Sequence, residues 1–208
     1  MLYSRAPATL NRCTAEGRTP LYWACLRDHE SMVSKLLSLG AMQSIPPDRS
    51  CPLAAAVNEG FVDVVKVLIN EGGIRAVGGE MPLAEALRTA VVFHRARILR
   101  LLLTADGDEG LSEWANTYLK GNHLLHAGAS WCCPAEVSIL LEAGADEAAR
   151  DWQGFIPRDV IGLNIGRDDE PQTNRGKEVA IHRMLQRGPA YQARSWAWPS
   201  DNQADAGG

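Results

Sequence analysis

Apolar and polar positions along this chain fall into short amphipathic runs of two kinds, and the two kinds alternate. The first kind appears as "RTPLYWAC", "SCPLAAAV", "EMPLAEAL", "NHLLHAGA" and "FIPRDVIG". The second appears as "SMVSKLLSLGA", "VDVVKVLINEGG", "ARILRLLLTADG" and "AEVSILLEAGAD", most running from a Leu-Leu or Leu-Ile pair into glycine. Apolar residues recurring at three- and four-residue steps predict amphipathic helices for both kinds, with glycine caps at the ends of the second. In the first run Thr19 is a natural N-cap and Pro20 fits the first helical position, where no amide hydrogen is needed. Leu21, Ala24 and Cys25 then share one apolar stripe.

The openings recur in register. The second residue of each core motif is Pro20, Pro52, Pro82, Leu124 and Pro157, at successive spacings of 32, 30, 42 and 33 residues. Helix pairs returning at such a period predict a solenoid, in which each unit buries its apolar face only against its neighbours.

On these residues the sequence resembles the ankyrin repeat, whose pattern carries T-P-L-H-x-A on a period of about 33 residues. The clearest copy is "EVSILLEAGADEAARDWQGFIPRDV", with Asp151 and Gly154 in the places of the family's D-x-x-G turn, and "NEGFVDVVKVLINEG" is nearly as close. The resemblance covers roughly residues 10 to 163 and implies an all-α solenoid of about five helix-turn-helix repeats with finger loops. The chain departs from the pattern in places. Only Thr19 keeps the family threonine, replaced elsewhere by Cys51, Met81, His123 and Ile156. Only His126 keeps the histidine, replaced by Tyr22, Ala54, Ala84 and Asp159.

The pattern divides the chain into four segments. Residues 1–14 are expected to form a partial N-terminal cap, and 15–163 the repeats. The third repeat carries about four extra residues between its helices and is followed by the excursion "ADGDEGLSEWANTYLKGN". Residues 164–188 read as an inserted loop, "LNIGRDDEPQTNRG" being polar with Gly, Pro and adjacent acids, followed by the capping helix "KEVAIHRMLQRG". Residues 189–208 form a Trp-bearing tail whose end, "DNQADAGG", is too small and polar to pack.

Composition narrows the function classes. A net charge of −4 gives no bulk field for nucleic acid or acidic membranes, and no apolar run approaches a membrane span. Five cysteines, an odd number without framework spacing, point to a reducing cytoplasmic setting, with an organelle left open by Arg5 and Arg12 near the start. His123, His126, Cys132 and Cys133 could in principle bind zinc. The histidines open a helix whose far end carries the cysteines, about 10 Å away by helical rise, so no metal site is expected there. Phosphate-binding, dinucleotide-binding and metalloprotease motifs are absent from the sequence, and no cysteine stands beside a motif-placed base. Neither catalysis nor a cofactor is expected. The basic cluster His94, Arg95, Arg97 and Arg100 alternates with apolar residues as a solvated helix face does.

The family resemblance implies protein binding through the concave surface, at positions flanking the turn before each opening and the end of each first helix. One residue at a time, the turn side gives Arg18, Glu80, Trp152 and Phe155, and the helix ends give Arg27, Glu59, Arg88 and Trp131. Trp and Arg are common interface anchors. Trp196 and Trp198 in the tail are a further candidate, as a cap over the last helix pair or as an insertion into a neighbour. The implied function is a non-enzymatic interaction module for a protein partner. The alternative is a permanent subunit of a larger assembly whose neighbours cover the N-terminus and tail.

Overall fold

The computed structural model describes residues 10–43, 51–72, 80–105, 124–164 and 171–186, without the side chains of 80–82 and 171–173. Those residues form helices α1 (Pro20–Leu26), α2 (Glu30–Ser38), α3 (Pro52–Glu59), α4 (Val62–Gly72), α5 (Glu80–Val92), α6 (Ala96–Thr104), α7 (Leu124–Ser130), α8 (Pro134–Glu142) and α9 (Pro171–Met184). A 3₁₀ turn spans Pro157–Val160. No strand occurs among the described residues.

The helices stack in two rows. The first helices pack in chain order, α1 on α3, α3 on α5, α5 on α7, and α7 on the 3₁₀ turn. The second helices do the same, α2 on α4, α4 on α6, α6 on α8, and α8 on α9. One core runs through the stack from Leu21 to Leu185. Leu21, Leu53, Leu83 and Leu125, each directly after a Pro or Leu opening, are all buried in it. In the fifth unit that position is Arg158, which is exposed, so the leucine row ends on a polar residue.

The same turn joins the helices of the first four units. One residue in each adopts the left-handed conformation: Asp28 (φ 57°), Gly60 (φ 88°), His94 (φ 55°) and Cys132 (φ 52°). The amide of the next residue then donates back across the helix end, His29 to Ala24, Phe61 to Ala56, Arg95 to Ala90 and Cys133 to Gly128, at 2.8–3.0 Å. This is the Schellman closure, which satisfies carbonyls the helix itself cannot. It favours glycine at the left-handed position, and the chain supplies one only at Gly60.

Three sequence expectations change. The four extra residues of the third repeat do not loop out between its helices but extend α5 to Val92. Four residues make about one helical turn, so the insertion keeps the apolar stripe in phase and buries Ala90 and Val91 beyond Leu87. The fifth opening forms only the 3₁₀ turn. Asp159 there turns back to accept from the Ile156 amide at 3.1 Å, fixing a tight corner. Finally, α9 starts at Pro171, inside the segment expected to be loop, because proline suits a first helical position.

Candidate protein-interaction surface

Two of the turns preceding a first helix are described, and they are built alike. In one, the Asp151 amide donates to the Phe155 carbonyl at 2.9 Å and the Gly154 amide to the Asp151 carbonyl at 2.9 Å. In the other, the Thr14 amide donates to the Arg18 carbonyl at 2.9 Å and the Gly17 amide to the Thr14 carbonyl at 2.8 Å. Side chains complete both. Asp151 Oδ1 accepts from the amides of Gln153 and Phe155 at 2.9 Å, and Thr14 Oγ1 accepts from the Arg18 amide at 3.2 Å. Gly17 (φ 77°) and Gly154 (φ 87°) carry the left-handed corner.

This correspondence shows what the frame requires at each position. Trp152 occupies the place that Ala15 fills in the first turn, so the turn has no need of an indole. Trp152 is 85% exposed, which excludes it as a filler of gaps in the core. Phe155 is 46% exposed in the place of Arg18, while its carbonyl meets His126 Nε2 at 2.9 Å. That bond ties the fifth unit to α7, as do the Gly162 amide to the Ala129 carbonyl and the Asn164 amide to the Ser130 carbonyl, at 3.1 and 3.0 Å. The aromatic pair therefore stands on a fixed base.

At the ends of the first helices, Arg27, Glu59 and Trp131 are exposed and occupy equivalent places directly before the left-handed residue. Arg88 does not join them. The lengthening of α5 leaves Arg88 exposed about one turn short of the helix end, and Phe93 takes the equivalent place. Phe93, 50% exposed, is the residue that sequence spacing missed; it stands directly before the left-handed His94, a register that only the burial of Ala90 and Val91 fixes. The fourth and third units thus present Trp131, 42% exposed, and Phe93 one repeat apart.

Other expected residues are placed differently. Arg18 is engaged within its own unit, 3.1 Å from Glu16 and over the rings of Tyr22 and Trp23 at 5.4 and 5.2 Å. The Glu80 side chain, Trp196 and Trp198 lie outside the described residues. Of the basic cluster, Arg95 donates to the Asn58 carbonyl and Arg100 pairs with Glu142 at 3.1 Å.

The four buried thiols are poor nucleophiles. Burial pushes Cys25 and Cys133 up to about 12, and raises Cys51 and Cys132 as well, so these four stay protonated near neutral pH. No described helix is long and apolar enough to cross a membrane.

Comparison with known proteins agrees with the architecture. A family model described as ankyrin repeats (3 copies) matches residues 1–77. CAP-Gly domain-containing linker protein 3 of Xenopus laevis is 31% identical over 96 residues, which are 45% of this chain and 18% of that protein. The chain thus spans under a fifth of the length of this relative. The crystal structure of the human ASB11 ankyrin repeat domain superposes with a TM-score of 0.62, covering 86% of this chain and 73% of that one. At 22% identity this likeness shows the fold.

Proposed function

We propose that the chain is an ankyrin-repeat protein and a non-enzymatic interaction module that holds a protein partner against Trp152, Phe155, Trp131 and Phe93. Ankyrin repeats are in general protein–protein interaction modules, and stacked repeats offer extended surfaces for that purpose. One observation carries the reading for this chain. Trp152 is 85% exposed on a turn that the first unit builds with alanine. Exposing an indole that the frame does not use disfavours solubility, and a partner that buries it removes the disadvantage. Aromatic anchors of this size bury large area with few torsions to freeze. Arg27 and Glu59 extend the same row of helix ends with charges of both signs, suited to a polar rim. A relative described as a linker protein fits a connecting role.

The test is co-purification from the native source with the wild-type chain and with Trp152→Ala, Trp131→Ala and Phe93→Ala as baits. A partner held by wild type and lost from these folded variants supports the reading. Retention by all three overturns it. Light scattering of the isolated chain separates the two modes of association: a compact monomer marks a reversible module, and aggregation alone marks a permanent subunit.

A further inference from the structure

We propose that His94, Cys133 and Glu136 form a binding site for a divalent transition metal ion of the zinc class, joining the third and fourth repeats. One nitrogen, one sulfur and one oxygen from these side chains all lie within 4.8 Å of one another. His94 comes from the turn between α5 and α6, and the other two from the start of α8. Ligand atoms around a tetrahedral zinc lie roughly 3.3–3.8 Å apart. His94 Nδ1 and Glu136 Oε2 are already 3.9 Å apart, so small side-chain rotations complete the triangle.

The repeats themselves show that one of these residues is out of place structurally and that another carries backbone strain. Glu136 occupies the position held by Met32, Val64 and Ile98 in the first three units, and Val64 and Ile98 are core residues. Glu136 is buried to 2% exposure there, where an apolar side chain would serve the stack better. His94 occupies the left-handed position that Gly60 fills without strain. Each substitution costs stability, and the two meet at a buried thiol.

The chemistry of the set is coherent. Imidazole and thiolate suit zinc, and a carboxylate is an accepted third ligand. Cys133 is the N-cap of α8, where burial holds its thiol protonated and Sγ donates to the Trp131 carbonyl at 3.5 Å, so metal coordination must displace that proton. Amides of Glu136 itself and of Ala96 donate to the carboxylate and orient it. His94 is more than half exposed, which gives the ion an entry path and leaves a fourth position for water. A dication balances the two anions that burial otherwise disfavours, with the thiol proton released to solvent. Among the described residues, half-buried Lys177 is the other cation acting on both Cys133 and Glu136, and its charge competes with the ion for them.

The experiment uses the full chain, reduced and freed of metal by chelation, then titrated with Co²⁺ and back-titrated with Zn²⁺. Wild type is expected to bind one Co²⁺ with a near-ultraviolet thiolate-to-cobalt band that Zn²⁺ abolishes. Cys133→Ser is expected to lose that band. His94→Gly and Glu136→Val restore what the repeat frame prefers. Each is expected to melt no earlier than wild type without metal, yet to weaken the cobalt complex at least tenfold. Absence of a thiolate–cobalt band in wild type, its persistence in Cys133→Ser, or undiminished binding in both restoring variants overturns the proposal. None of these readouts depends on the protein partner.

Discussion

Arg95 reaches from the third repeat back to the second and donates from Nε and Nη2 to the Asn58 carbonyl, at 3.2 and 2.7 Å. That carbonyl belongs to the last turn of α3, where the helix has no further amide to offer it. The guanidinium fits because Gly60 has no side chain: a Cβ there would stand 3.1 Å from Arg95 Cζ. One glycine thus serves both the left-handed turn and the contact between repeats.

Gly60→Ala is therefore expected to destabilise the stack by about 1–3 kcal/mol, from left-handed strain and loss of the guanidinium contact. Arg95→Ala should lose a similar amount through the unsatisfied carbonyl alone. Thermal melts check both, at roughly 2–4 °C per kcal/mol for a chain of this size. If the two losses add fully in the double variant, the contact is not shared as described.

Asp28 holds the same left-handed position in the first repeat, exposed and without glycine's freedom. Asp28→Gly is expected to raise stability by up to about 1 kcal/mol, the relieved strain being partly offset by greater freedom of the unfolded chain. A lower melting temperature would contradict the strain argument.

Leu83→Ala removes a member of the leucine row from the longest helix pair. Loss of about 2–5 kcal/mol is expected, as for other large-to-small changes in packed cores. An unchanged denaturant midpoint would place Leu83 outside the shared core.

Cys25, wholly buried, has its thiol pushed up to about 12 by burial, with neighbouring Cys51 a second cause. Its pKa is higher in the fold than in the unfolded chain, so the protonated thiol stabilises the fold below about pH 9. That contribution fades as the pH rises towards 12. Stability measured from pH 8 upward should fall, and Cys25→Ala should flatten the fall. An equal slope in the variant would show that other groups govern alkaline unfolding.

The repeat frame was legible because helix pairs write their period into the sequence: Pro20, Pro52, Leu53, Leu83 and Leu125 mark it without any structure. The register of the third repeat was not. Four additional residues can loop out or lengthen a helix, and only the burial of Ala90 and Val91 decides for the helix. Phe93 was missed, and Arg88 misplaced, for that reason. Residues 171–176 read as loop because polarity outweighed the proline that starts α9. Glu136 was invisible as an anomaly until the stack aligned it with Val64 and Ile98. The exposure of Trp152 was foreseeable only in part, since a degenerate repeat can also use tryptophan to fill a gap.

The central claim is that Trp152 belongs to recognition and not to the frame, and the most direct measurement compares melting and partner affinity for Trp152→Ala. The variant is expected to melt within about 1 kcal/mol of wild type in stability, as exposed positions do. Its affinity for the co-purified partner is expected to fall at least tenfold, ~1.4 kcal/mol or more. A variant that melts early and binds normally once folded would contradict the account.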